Sequence, residues 1–193
     1  MFLKLDDVPC LVIGGGSVAE RKVENLLEAK ASVSVISPNI TQALQRMIDK
    51  GQIEHERRIY REGDLEGFSV VIAATNSREV NAQIYREAVA RKALINSVDD
   101  SEHSSFIVPS VVRRGALQVA VSTSGRVPYF ARKLRQYLEG LFYADIGVDL
   151  EQLQRLRMDL LRRQFENPDE KMREMSALLD PKIKEILEKM NPR

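Results

Sequence analysis

Apolar and polar positions change rhythm repeatedly along the first half of the chain. Cys10 to Ile13 is a short apolar run that leads straight into Gly14-Gly15-Gly16. After Ser17, apolar residues at Val23, Leu26 and Leu27 recur at helical spacing, so the segment reads as strand, tight turn and helix. Ser32 to Ser37 predicts a second strand closed by Pro38, Thr41 to Lys50 a short helix ended by Gly51, and Ile53 to Ile59 a third strand. Val70 to Ala74 is an unbroken apolar run, the pattern of a strand buried on both faces. Ser77 is placed to cap a helix over Arg78 to Arg91, and Ala93 to Ser97 returns as a strand. Strands alternating with helices predict an α/β fold, a doubly wound parallel sheet with right-handed crossovers.

The rhythm changes after Pro109. Ala116 to Ser122 alternates as a strand, and Pro128 opens a helix with Phe130, Leu134, Tyr137, Leu138 and Leu141 along one side. Beyond Gly147 the leucines at 150, 153, 156, 160 and 161 keep helical spacing until Asn167-Pro168. Met172, Met175, Leu178 and Leu179 then begin another amphipathic run. The expected division is residues 1–112 as a nucleotide-binding domain, 113–147 as a small α+β dimerisation segment of one strand plus a helix, and 148–193 as a helical domain. One strand and three helices are too little for an independent core, so these apolar stripes must pack on the first domain or on a second subunit; a homodimer is expected, with a tail folded back on its own domain as the alternative.

Composition narrows the function classes. The chain has 193 residues with a net charge of +1, which gives no electrostatic reason to expect nucleic acid or an anionic membrane. One cysteine rules out an internal disulfide, and with two histidines it cannot make a usual structural zinc site, so no metal is expected. No leader-like segment or apolar stretch of membrane-spanning length is evident, and the expected location is cytoplasmic.

Gly14, Gly16 and Ala19 match the dinucleotide fingerprint of a Rossmann-type fold, between a strand and a helix. Gly14 allows the turn, Gly16 lets the backbone approach a pyrophosphate, and Ala19 permits close helix–strand packing. In such a sheet, ligands sit beyond the carboxyl ends of the strands. That rule nominates Gly14 to Val18, Ser37 to Asn39, Ala74 to Asn76 and Asn96 to Asp100. The second strand ends in Ser37-Pro38-Asn39 with neither an acid nor an arginine, so spacing alone leaves NAD and NADP both open. Asp99 and Asp100 follow a strand, where a carboxylate can abstract a proton or simply organise a turn. His55 and His103 carry no recognisable catalytic spacing. Ser122 to Pro128 is a polar turn at a helix start, and Arg113, Arg114, Arg126, Arg132, Lys133 and Arg135 lie near it in sequence. That segment suits either a polycarboxylate ligand or a solvated helix face.

GGGSVAERKVENLLEAKASVSVISP, VVIAATNSREVN, INSVDD, FIVPSVVRRGALQVAVSTSGRVP and ARKLRQYLE, in that order, resemble the precorrin-2 dehydrogenase (siroheme synthase N-terminal) family from about Leu3 to Glu139. The resemblance implies a dimer that uses NAD to dehydrogenate precorrin-2 to sirohydrochlorin on the route to siroheme. Some members also insert ferrous iron into the product, and others carry a fused methyltransferase, for which this chain is expected to be too short. Asp99 falls on the family's acid/base aspartate. Gly14, Gly15, Gly16, Ser17, Val18, Ser37, Pro38, Asn39, Ala74 and Thr75 fall on cofactor-binding positions, with Ala73 beside them. Ser122, Thr123, Ser124, Gly125 and Arg126 fall on the turn that lines the tetrapyrrole cleft. Three positions depart from the pattern: Ser97 stands for a valine, Ser101 for a common proline, and Val127 for a frequent serine. The alternative expectation is a regulatory module that senses NAD without chemistry.

Overall fold

The computed structural model describes residues 2–190, which fall into two compact units divided between Val108 and Pro109. In the first unit, β1 (Pro9–Ile13), β2 (Ser32–Ile36), β3 (Glu54–Glu56), β4 (Val70–Ala73) and β5 (Leu94–Ser97) form a parallel sheet in the order β3-β2-β1-β4-β5. Three helices connect them: α1 (Ser17–Glu28), α2 (Gln42–Asp49) and α3 (Arg78–Arg91). The strand order reverses between β1 and β4, the topological switch point where such sheets bind ligands.

The alternation of side chains along each strand builds two cores. On β1, Cys10 and Val12 pack with Ala19, Val23 and Leu26 of α1 and with Leu44 of α2, while Leu11 and Ile13 pack with Ile84 and Ala88 of α3. β1 and β4 are covered on both faces, which is why both are continuous apolar runs. Burial also pushes the Cys10 thiol up to about 11, so it acts as a small hydrophobe and not as a nucleophile. Thr41 caps α2 through the Leu44 N–H at 3.2 Å, and Ser77 caps α3 through the Val80 N–H at 3.3 Å.

Two segments differ from the sequence reading. The third strand covers three residues, Glu54–Glu56, and not the whole of Ile53 to Ile59. It is held in register by β2, with Val35 beside His55 and Ile36 beside Glu56, after which the backbone turns away. In the second unit, Ala116 to Ser122 does not stand alone. β6 (Ser110–Arg114) and β7 (Leu117–Val121) form an antiparallel hairpin, turned at Gly115 with φ +58°. α4 (Pro128–Leu141), α5 (Ile146–Leu161) and α6 (Pro168–Met190) follow. Val112 and Ala131 are buried in this unit, as are Leu160 of α5 and Ile186 of α6.

Candidate functional site

A cleft of about 900 Å³ opens at the carboxyl ends of β1, β2, β4 and β5. Its wall is made entirely by the first unit and contains all ten expected cofactor positions together with Asp99. Gly14, at φ +126°, directs the chain out of β1, and its N–H donates to the Ile36 carbonyl at 3.0 Å. A Cβ on Gly14 would overlap the Ala74 carbonyl, and one on Gly15 the Asn39 carbonyl. The Gly15 carbonyl accepts the Thr41 N–H at 3.0 Å, so this turn is clamped between the loops after β2 and β4. A Cβ on Gly16 would meet nothing within 4 Å. That residue borders open cleft, and no described side chain caps α1 behind it. The first N–H groups of α1 and the space in front of them fit a pyrophosphate.

The surrounding hydroxyls shape the loops. Ser37 is buried and its Oγ donates to the Asn39 carbonyl at 2.7 Å, closing the turn around Pro38. Thr75 donates to Asn81 Oδ1 at 2.7 Å, and its Oγ1 accepts the Ser77 N–H at 3.2 Å. Its side chain therefore ties the β4–α3 loop to α3, while the residue itself lines the cleft.

The two adjacent carboxylates have separate roles. Asp100 accepts from the His103 N–H at 3.1 Å and pairs with His103 Nδ1 at 2.6 Å, and its carbonyl accepts the Ser104 hydroxyl. The His103 hydrogen bonds hold its carboxyl below the usual range, and the His103 ring meets Tyr85 edge-on at 4.9 Å. Asp100 organises the turn and Asp99 lines the cleft. Asp99 has φ +58°, a left-handed conformation that aspartate and asparagine tolerate better than most residues.

Several neighbouring residues were not nominated from sequence. Lys22, on α1, donates to Asn96 Oδ1 at 3.0 Å, and Asn96 Nδ2 donates to the Phe106 carbonyl at 3.0 Å. Burial lowers the Lys22 pKa, Arg21 lowers it further, and Asp99 acts in the opposite sense. Lys22 carried a sequence signal, a charged residue in the second turn of the fingerprint helix. Lys22 is not part of the cleft wall, but Arg58, Ile59 and Tyr60 line it. The expected strand from Ile53 to Ile59 concealed Arg58 and Ile59, and Tyr60 lies just beyond its end.

Ser122 to Arg126 lie in the second unit, in the turn between β7 and α4. Thr123 Oγ1 accepts the Val127 N–H at 3.0 Å, Ser122 Oγ accepts the Ser124 N–H at 3.1 Å, and Ser124 and Gly125 have positive φ. Of the nearby cations, Arg114 donates to the Glu139 carbonyl and Arg135 pairs with the Glu139 carboxylate. Among the described residues, no helix is long and apolar enough to cross a membrane, and no three His, Cys, Asp or Glu side chains gather as a metal site.

Sheet order, glycine turn and cleft together define the first unit as a Rossmann-type dinucleotide-binding domain. Residues 1–110 match a family model described as NAD(P)-binding, and residues 114–141 match the central segment of sirohaem biosynthesis proteins. A siroheme synthase of Photobacterium profundum is 44% identical over 147 residues, covering 76% of this chain and 31% of that protein. The siroheme synthase of Methylobacillus flagellatus is 46% identical over 147 residues, covering 76% of this chain and 32% of that protein. The chain thus spans about a third of the length of these curated relatives. A solved structure of SirC, a precorrin-2 dehydrogenase, superposes with a TM-score of 0.79 at 23% identity, covering 98% of this chain and 97% of that one, which shows a shared fold. The chain belongs to the NAD(P)-binding family whose model matches residues 1–110, more than half its length.

Proposed function

We propose that the chain is an NAD-dependent dehydrogenase that converts precorrin-2 to sirohydrochlorin. One observation carries the reading: an exposed carboxylate, Asp99, lines the same cleft as the glycine turn and open helix start that fit a pyrophosphate. NAD, when bound, supplies the hydride acceptor. The chain's own residues then have three tasks. The Gly14–Gly16 turn and the start of α1 hold the pyrophosphate, and the loops fixed by Ser37 and Thr75 bound the cleft. As the substrate loses a hydride from a saturated ring carbon, its proton passes to an Asp99 carboxylate oxygen and then to solvent, leaving a new ring double bond. The protein's contribution is otherwise orientation.

The names of the relatives point to a tetrapyrrole substrate. Its many carboxylates suit the segment Ser122 to Arg126, whose turn offers hydroxyls and an arginine. Residues 1–112, 113–147 and 148–193 serve in this reading as cofactor, dimerisation and helical domains. A homodimer is supported by the exposed apolar side chains of α4, and the site of action in this reading is the cytoplasm.

The test is anaerobic incubation with enzymatically made precorrin-2 and NAD, following NADH and the sirohydrochlorin spectrum together. Both should appear. Asp99→Asn keeps the left-handed backbone and should bind NAD within about twofold of the wild type, while turnover falls about 100-fold or more. Wild-type protein that binds NAD but makes no product would mean a sensor module. Adding ferrous ion to the same mixture reads the insertion step.

A further inference from the structure

The cleft wall holds two charged side chains, Asp99 at one end and Arg58, beyond β3, at the other. An arginine beside the adenosine end of a Rossmann cleft would ordinarily mark NADP, because a guanidinium accommodates the 2′-phosphate. Arg58 is differently disposed. Its Nε donates to Glu56 Oε2 at 2.7 Å, and Nη2 lies 2.7 Å from the same oxygen. Nη1 donates to Asp64 Oδ2 at 2.6 Å and to the Ile59 carbonyl at 3.1 Å, and Nη2 donates to Asp64 Oδ1 at 2.9 Å. A guanidinium has five N–H donors in a fixed fork; four are hydrogen-bonded here, and Nη2 also lies within ion-pair distance of Glu56. The side chain is 25% exposed and that of Asp64 is 12% exposed, so the pair is substantially shielded from water.

The partners are held in turn. Asp64 also accepts the Arg61 N–H at 2.7 Å. Burial pushes the Asp64 carboxyl up, but the Arg58 fork, the Arg61 N–H and both arginine charges outweigh it and leave it below the usual range. Two carboxylates around one guanidinium present a 2′-phosphate with bound donors and excess negative charge. A 2′-hydroxyl, being neutral, meets no such penalty. Arg57, the neighbouring cation, is exposed, lies outside the cleft wall and reaches the Pro38 carbonyl at 3.4 Å.

We infer that Arg58, held and neutralised by Glu56 and Asp64, is the residue that selects NAD over NADP in this chain, and that releasing it admits the 2′-phosphate. This rests on the dinucleotide reading of the cleft. Dissociation constants for NAD and NADP, measured on the full-length protein by calorimetry, test it. Wild type should favour NAD by about tenfold or more. Glu56→Gln, on an exposed side chain of β3, should narrow the ratio about fivefold, mainly through tighter NADP binding. Asp64→Asn should act in the same direction, and Glu56→Gln carries the test if Asp64→Asn fails to fold. Adding Arg58→Gln to Glu56→Gln should restore the preference for NAD. Equal wild-type affinities, unchanged ratios in folded variants, or a gain that survives Arg58→Gln would each overturn the inference. Failure of the wild type to bind either nucleotide would instead overturn the functional reading beneath it.

Discussion

Gly15 and Gly16 are neighbours in one turn, yet the packing around the turn demands a glycine at only the first of them. A Cβ on Gly15 would collide with the Asn39 carbonyl and crowd Ser37 and Ile40, so the residue serves loop packing. Gly16 has ordinary extended angles, φ −81° and ψ −176°, and space around it. Its lack of a side chain relieves no contact within the protein and leaves the cleft open in front of α1, as the proposed pyrophosphate site requires. Gly15→Ala should therefore destabilise the fold by about 2–3 kcal/mol through overpacking, measured by denaturant unfolding. Gly16→Ala should cost under about 1 kcal/mol, the difference between glycine and alanine at an N-cap. It should nonetheless weaken NAD about tenfold or more, because its methyl group occupies the pyrophosphate's approach. Unchanged NAD affinity in Gly16→Ala would show that the phosphates lie elsewhere. The fingerprint exposed Gly14 and Gly16 in the sequence, but the need for Gly15 arises from a carbonyl twenty-four residues away and no local pattern could reveal it.

At the scale of elements, the segment from Arg57 to Ser69 shows where legibility ended and why. β1 and β4 were readable because burial on both faces demands unbroken apolar runs. β3 is Glu-His-Glu at the edge of the sheet, held by backbone pairing, with no apolar period to betray its end. β6 was missed for a related reason: only Val112 of its five residues is buried, and two arginines close it. What fixes the 57–69 segment is a set of long-range polar contacts. Glu87 of α3 accepts the Tyr60 hydroxyl, the Gly63 N–H at 3.1 Å, the Leu65 N–H at 3.4 Å and Arg91 at 2.8 Å. Burial raises the Glu87 pKa, but these donors reverse it and leave it, like that of Asp64, below the ordinary value. A carboxyl with a depressed folded pKa contributes its full stabilisation above the unfolded value of about 4 and loses it as the pH falls through the folded value. Acidification below about pH 4 should therefore loosen this segment first. Hydrogen exchange at the Gly63 and Leu65 amides should accelerate before that of β1 and β4. Simultaneous loss of protection would mean that the clamp is only part of a global transition.

The whole molecule divides its labour between a unit that holds the nucleotide cleft and one that displays apolar surface. Every residue lining the cleft belongs to the first unit. In the second, Phe130 is 56% exposed, Tyr137 67% and Leu141 39%, along the side of α4 on which their spacing already placed them in the sequence. Helical periodicity revealed that stripe, but periodicity says only that a face is apolar, not what covers it. A row of large exposed apolar side chains on one helix is the pattern of an interface, and a second copy of the chain is the partner proposed above. Tyr137→Glu adds a charge that such an interface would have to desolvate, so the dimer should dissociate to monomer at micromolar concentration, read by size-exclusion chromatography with light scattering. NAD affinity should stay within about twofold of the wild type, because no residue of the cleft wall is altered. Turnover then becomes the informative quantity. Loss of precorrin-2 oxidation in a monomer that still binds NAD would show that the second subunit is needed to complete the substrate site. Full turnover by that monomer would confine the chemistry to a single chain and leave α4 a role in assembly alone.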